Sequence, residues 1–525
     1  MKTNKSFLVV AAFSLFVLLF SLFQNFTGTG SDFIWTNYFG GDNGGPVSAD
    51  TPATPLTGTR TFRISSPSLI ITNQTIQPFD DSDPSWIATK TGIQNELSQG
   101  HDVVYLIRNF GQLFDNSMQY LTVTDPNSCQ KNHAKCAAAF SSLQAWTIKQ
   151  AQELLLLPGA IDHIYFEIGN EINSPCTGLA VEDYLNGEST QPTGPNLICV
   201  GHGPHDPNII PLYAESVFAP EVAALLNNNP NTHIIMPSVA ATYRTDVAAW
   251  VEALLDYQIQ GDLIQDGTGK MQSLVQGKKI SELVFALNHH YTVTGIAHTS
   301  KEVVSWETSL DTYLADIQTK GIPGLWATEE LGARDGSPQG ANNQGGEGAA
   351  TVARLISQYS YFADKNNLNP TQLRALFWGW NLDPAPTTSG LFGFTKILKI
   401  IGPEYLKNLT AQSNLDSDVS EIHAFHAQGS RKIFIFIFPQ NLWSTLDMSQ
   451  WRITLKGDGI DLQKFNPHTS TINIFSVNGF SQPSSQVSIT NSDLNFQLQT
   501  PISLGNDGQR SKQDVMLIEL DPLPL

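Results

Sequence analysis

The sequence predicts a (β/α)8 TIM barrel followed by an antiparallel β-sandwich. Between residues 31 and 404, short apolar runs alternate with longer stretches of helical periodicity, in about eight units. The runs are apolar throughout rather than alternating, as strands buried on both faces of a parallel sheet must be. From residue 405 to 525 the helical stretches stop, and short strand-like runs are separated by Gly, Asn, Asp, Ser and Pro. At 525 residues the chain exceeds one ordinary core, which fits a large domain plus a smaller one.

Taken in order, residues 1–30 come first. Lys2 and Lys5 give a positive start, and Phe7 to Phe23 is almost unbroken apolar sequence. That run is long for a secretory core and just short of the roughly 20 residues that span a bilayer. No A-x-A pattern follows it. A cleaved signal peptide is expected, with an uncleaved membrane anchor as the alternative; either places the rest of the chain outside the cytosol. The barrel strands are then expected at Asp32–Asn37, Thr61–Ile64, Val103–Ile107, His163–Ile168, His233–Met236, Leu283–Leu287, Leu325–Thr328 and Leu373–Trp378. Helices are expected between them, among others at Phe140–Leu157, Val217–Asn227, Thr245–Leu254 and Ala349–Asn366. A doubly wound sheet would advertise a Gly-rich phosphate turn after its first strand, and Gly40–Gly41 and Gly44–Gly45 do not match it. The sandwich strands are expected at Glu421–Ala427, Lys432–Pro439, Arg452–Lys456, Thr471–Ser476, Asp493–Leu498 and Asp514–Leu520.

Charge and cysteine content narrow the partners. Against 48 Asp+Glu stand 29 Lys+Arg, a formal net charge of −19, so the surface repels nucleic acid and no basic cluster offsets it. Cys129 and Cys136 lie close together, as do Cys176 and Cys199; local pairing into two disulfides is the simplest of three connectivities and suits an oxidising compartment. None of the spacings is C-x-x-C and no histidine cluster completes a zinc site, so no metal is expected. Asn25, Asn73 and Asn408 open N-x-S/T sequons.

In a parallel barrel, chemistry belongs at the carboxyl ends of the strands. The run ending at Ile168 passes directly into Gly169-Asn170-Glu171, and the run ending at Thr328 into Glu329-Glu330-Leu331-Gly332. Three β/α units separate the two, which sets their carboxylates across the barrel mouth. Glycoside cleavage needs such a pair: one carboxylic acid protonates the departing oxygen while a second carboxylate attacks the anomeric carbon.

Phe166–Glu171 resembles the strand-4 signature of glycoside hydrolase clan A, the retaining (β/α)8 glycosidases. Trp326–Gly332 is similar to that clan's strand-7 nucleophile segment. The resemblance implies Glu171 as acid/base and Glu330 as nucleophile, with Glu329 as the alternative register. It implies a carbohydrate substrate, double displacement without a cofactor, and sugar contacts from Asn170. It further implies that Tyr291 bonds the nucleophile, that His289 contacts the sugar or the acid, and that His290 is structural. Trp378, or Trp380, would floor the sugar ring, and Arg63 would hold the catalytic carboxylates. The layout is nearest to the heparanase/β-glucuronidase family and its xylosidase, arabinofuranosidase and endoglucanase relatives, although Ile172-Asn173 and Ser65-Ser66 depart from the usual Pro-Asn and Gly-Gly. A catalytically silent carbohydrate-binding protein and a transglycosylase are the alternatives.

Overall fold

The computed structural model describes residues 34–42, 61–67, 71–72, 75–107, 133–172, 209–239, 245–264, 266–290, 306–330, 347–378, 390–415, 420–439, 444–447, 450–456, 460–476, 479–483, 485–490, 493–498, 503–506 and 514–524. The targeting segment, Cys129, Cys176, Cys199 and the sequons at Asn25 and Asn73 lie outside these residues, as does the side chain of Cys136. Among the described residues no helix is long and apolar enough to cross a membrane.

Eight parallel strands close into a ring: β1 (Phe39–Asp42), β2 (Thr61–Ser65), β3 (Asp102–Ile107), β4 (Ile164–Ile168), β5 (His233–Ile235), β6 (Ala286–His290), β7 (Gly324–Glu330) and β8 (Leu373–Trp378). Each pairs with its sequence neighbour, and β1 joins β8 to β2. The outer layer includes α1 (Pro84–Ser98), α2 (His133–Leu154), α3 (Ala219–Asn228), α4 (Thr245–Asp256), α5 (Trp306–Lys320), α6 (Glu347–Asn366) and α7 (Gly390–Ile401). Outward strand residues such as Ile64, Tyr105, Phe166, Leu287, Leu325 and Phe377 join the helices in one large core. Inward residues Val104, Tyr165, Ile235, Ala286, Trp326 and Leu376 fill the barrel, which is a packed interior rather than a pore.

Two strands differ from expectation. Trp35–Asn37, read as the end of the first strand, lies in a buried 3-10 turn that runs to Tyr38, and the strand is the following Phe39-Gly-Gly-Asp42. A Cβ built on Gly40 would lie 2.1 Å from the Thr61 carbonyl oxygen, so only glycine lets β1 approach β2 and close the ring. The sixth strand runs Ala286–His290 instead of Leu283–Leu287, three residues later at each end.

The C-terminal strands are β9 (Leu406–Ser413), β10 (Ser420–Ala427), β11 (Ile433–Pro439), β12 (Ser444–Asp447), β13 (Gln450–Lys456), β14 (Phe465–Ser476), β15 (Gly479–Ser481), β16 (Ser485–Thr490), β17 (Asp493–Leu498), β18 (Ser503–Asn506) and β19 (Val515–Pro522). Nine form one curled antiparallel sheet ordered β15-β14-β19-β11-β10-β9-β13-β17-β16, and β12 pairs with β18. Strand β11 shows how the domain is seated. Its sequence Ile-Phe-Ile-Phe-Ile-Phe alternates; Ile433, Ile435 and Ile437 fill the interior of the curl, whereas Phe434, Phe436 and Phe438 belong to the barrel's core. The third sequon is part of the same contact. Asn408 donates its side-chain amide to the Tyr361 carbonyl of α6 at 2.8 Å and its backbone N–H to Asp364 at 2.9 Å.

Candidate active site at the carboxyl ends of the barrel strands

The turn after β4 holds Glu171 in an uncommon backbone conformation. Gly169 has φ 93° and Glu171 itself φ 47°, the left-handed region that costs a side-chain-bearing residue about 1 kcal/mol or more. Ser238, just past β5, is what holds it there. Its N–H donates to Gly169 O (3.3 Å), its carbonyl accepts from Ile172 N–H (3.2 Å), and its hydroxyl accepts from Glu171 N–H at 2.9 Å. The same hydroxyl donates to Asn170 Oδ1 at 3.3 Å. Every residue from Gly169 to Ile172 is thus bonded to one serine. The hydroxyl of Tyr213 supports the strand from below by donating to the Ile168 carbonyl. Sequence reasoning missed Ser238, because a lone serine after an apolar run carries no signal of its own.

Arg63 enters from β2. Its Nε donates to Glu167 Oε2 at 2.8 Å, and its Nη2 to Glu167 Oε1 at 2.7 Å and to Asn170 Oδ1 at 2.6 Å. Both members of the ion pair are buried, at 1% and 0% side-chain exposure, so the fork-shaped guanidinium satisfies a carboxylate that water cannot reach. The expected arginine therefore anchors Glu167, which the sequence reading passed over, and through Asn170 it anchors the acid-bearing turn. Asn170 Oδ1 accepts from two donors, Arg63 and Ser238, which fixes the orientation of the amide and leaves its NH2 group as the donor.

The two histidines of β6 exchange the roles expected of them. His289 faces outward, fully buried, its ring stacked on Tyr313 of α5 with centroids 5.9 Å apart and planes 7° apart. Neither of its ring nitrogens has a hydrogen-bond partner among the described residues, and burial, with His290 adding to it, pushes its pKa down to about 3. His289 is a neutral core residue rather than a sugar contact. His290, read as structural, points inward: Nδ1 lies 3.1 Å from Glu171 Oε1 and Nε2 lies 3.1 Å from Thr328 Oγ1. Alternation decides the matter, since Ala286 and Asn288 face in and Leu287 faces out.

On β7 a β-bulge interrupts the pairing. His289 is level with Ala327, but the next pair is His290 with Glu329; on the other side Ala375 is level with Ala327 and Phe377 with Glu330. One extra residue, at Thr328, is inserted between two regular stretches. Trp378 ends β8, level with Asp42 of β1. Its side chain, those of Glu329 and Glu330, and the whole of Tyr291 and Trp380 lie outside the described residues. Among the described residues no group of three or more His, Cys, Asp and Glu is gathered as a metal site.

No protein-family model matches this chain. No curated protein matches it in sequence. Among solved structures it is similar to the glycoside hydrolase family 30 subfamily 8 xylanase from Clostridium acetobutylicum, at 12% identity over 92% of this chain and 95% of that one, with a TM-score of 0.39. It is similar to the family 44 endoglucanase from Clostridium thermocellum, at 11% identity over 93% and 97%, with a TM-score of 0.45. A bifunctional glucanase-xylanase from a metagenome library is 12% identical over 93% and 96%, with a TM-score of 0.48.

Proposed function

We propose that this protein is a retaining glycoside hydrolase in which Glu171 is the acid/base and a β7 carboxylate is the nucleophile. One observation carries the reading: His290 bonds Glu171 through its side chain while its backbone is level with Glu329. The residue after β4 that carries the acid and the glutamates of β7 therefore lie at the same end of the barrel, as double displacement at an anomeric centre requires. The Glu171 side chain keeps 16% exposure, enough to meet a substrate while most of it is held by protein.

The backbone pairing supports Glu329 over Glu330 for the second role. Residues level with one another on parallel neighbours share a face. Glu329 is level with inward-facing His290, and Glu330 with Phe377, which lies in the outer core. Without the bulge the alternation from Trp326 through Thr328 would lead to Glu330; the inserted residue moves the inward position back by one.

In the first half-reaction the nucleophile attacks the anomeric carbon as Glu171 gives its proton to the departing oxygen. In the second, Glu171 takes a proton from water, which attacks the same carbon and releases the nucleophile. Asn170, with its amide oxygen fully engaged, offers N–H donors to a sugar oxygen beside the cleaved bond.

Aryl β-glycosides of glucose, xylose, galactose, glucuronic acid, arabinose and mannose provide the test, assayed with the wild type, Glu171→Ala, Glu329→Ala and Glu330→Ala. The expected result is cleavage with retention, a loss of at least about 100-fold in Glu171→Ala, and rescue of Glu329→Ala by azide with an inverted glycosyl azide. Rescue of Glu330→Ala instead would reassign the nucleophile. Full turnover in Glu171→Ala would end the reading. Adding a free sugar acceptor and analysing products separates hydrolysis from transglycosylation.

A further inference from the structure

We propose that Asn288 and Thr328 fix the tautomer of His290, and that this tautomer governs how Glu171 gains and gives its proton. The proposal rests on the acid/base assignment above and concerns two residues that need not touch substrate.

The argument is one of donors and acceptors. Thr328 N–H donates to Asn288 Oδ1 at 3.2 Å, which fixes the orientation of that amide. Thr328 Oγ1 lies 3.0 Å from the same oxygen, and two oxygens so close need a proton between them; only the hydroxyl carries one. With its proton committed to Asn288, the hydroxyl can meet His290 Nε2 at 3.1 Å only as an acceptor. The imidazole proton therefore sits on Nε2. In the neutral ring, Nδ1 then presents a lone pair to Glu171 Oε1, 3.1 Å away, and that contact is a hydrogen bond only when the carboxyl carries the proton.

The consequence for the reaction follows from counting one proton. Before attack the proton lies between Oε1 and Nδ1, and Glu171 is the acid. Transfer to the departing oxygen leaves a carboxylate facing a lone pair, an unfavourable contact that makes Glu171 the stronger base for the second step. Water then returns a proton and the contact is restored. If the ring were free to move its proton to Nδ1, it would stabilise the carboxylate and blunt both roles. Among the described residues the titratable groups nearby include His289 on the opposite face of the same strand and the Arg63–Glu167 pair behind Asn170, and the backbone of Glu329 is level with His290 on β7.

Imidazole nitrogen NMR reads the tautomer directly. Full-length protein carrying 15N-histidine is examined by long-range proton–nitrogen correlation above neutral pH, with His290 assigned by the signal lost in His290→Gln. The wild type and Thr328→Ser are expected to show the Nε2–H pattern, and Thr328→Val, which lacks the acceptor, the Nδ1–H pattern. In the pH profile of kcat/KM, Thr328→Val should lose activity at lower pH on the basic side, by about ten-fold at the upper edge, the size expected when one buried donor loses its acceptor; Thr328→Ser should restore the profile. An Nδ1–H pattern in the wild type, or an unchanged Nε2–H pattern in Thr328→Val, overturns the relay whatever the activity. An Nε2–H pattern in a protein that cleaves no glycoside overturns the enzymatic reading and leaves the tautomer assignment standing.

Discussion

At the scale of single residues, the site depends on side chains whose value is positional rather than chemical. Ser238 and Arg63 touch the turn that carries Glu171, and His289 is buried on the outer face of β6 against Tyr313. His289 also makes the molecule acid-sensitive. Its folded pKa of about 3 lies below the ordinary 6.5, so between those values the unfolded chain binds a proton that the native ring refuses. Its contribution is complete above 6.5 and is lost as pH falls toward 3. His289→Phe, which keeps the stack on Tyr313, should remove about 1.4 kcal/mol per pH unit from the slope of stability across that window, measured by urea unfolding at stepped pH. A slope identical to the wild type would mean that the ring is already charged in the native state. Glu171 and Asn170 were legible because they follow an apolar run, whereas Arg63 was named only by resemblance. The sequence could not tell His289 from His290, since adjacent strand residues differ only in the face they take, and a shift of register by one reverses both.

Among the elements, the strands missed in position failed for related reasons. Apolarity ends early at the functional end of a barrel strand, because inward positions there are polar. Asn288, His289 and His290 read as loop although all three are fully buried in β6. β1 is hidden differently: its two glycines look like a turn, and the apolar Trp35–Tyr38 beside it is buried without being a strand. The bulge at Thr328 left no trace in the sequence at all. By contrast β11 was legible, and its two faces make a prediction. Phe436→Ala should cost about 3–5 kcal/mol, as emptying a buried aromatic site usually does, and should loosen the contact between sheet and barrel. Ile435→Val, on the other face, should cost only about 0.5–1.5 kcal/mol. Urea midpoints followed by fluorescence would rank the two, and an equal cost would show that the Phe face is not packed as tightly as its burial implies.

Across the whole molecule, a polar seam joins the barrel to the sheet beside this apolar contact. Glu421 of β10 accepts from Trp306 Nε1 at 2.8 Å, meets His423 Nε2 at 3.0 Å and Gln358 Nε2 at 3.3 Å, and faces the Arg354 guanidinium at 3.9 Å. Burial alone would raise its pKa, but the hydrogen bond and charge of His423, with Arg354 and Gln358, outweigh it and leave the value lowered. A depressed carboxylate stabilises the fold above its ordinary value of 4.5 and ceases to do so as pH falls through the lowered one. Melting temperatures of Glu421→Gln should therefore fall less steeply than those of the wild type as pH drops below about 4.5, and parallel curves would refute the seam's part in acid unfolding.

The closure of the ring bears on how the chain can be made. β1 completes its hydrogen bonds only against β8, and just outside it Ile34 bridges Tyr405 while Trp35 N–H donates to the Glu404 carbonyl at 3.0 Å. The first strand off the ribosome must wait for the last, which at roughly 5–20 residues per second is a delay of tens of seconds. During that time Phe39 and the inward faces of the early strands have no native cover. A chain truncated before residue 373 would lack β8 and leave β1 without the partner that closes the ring.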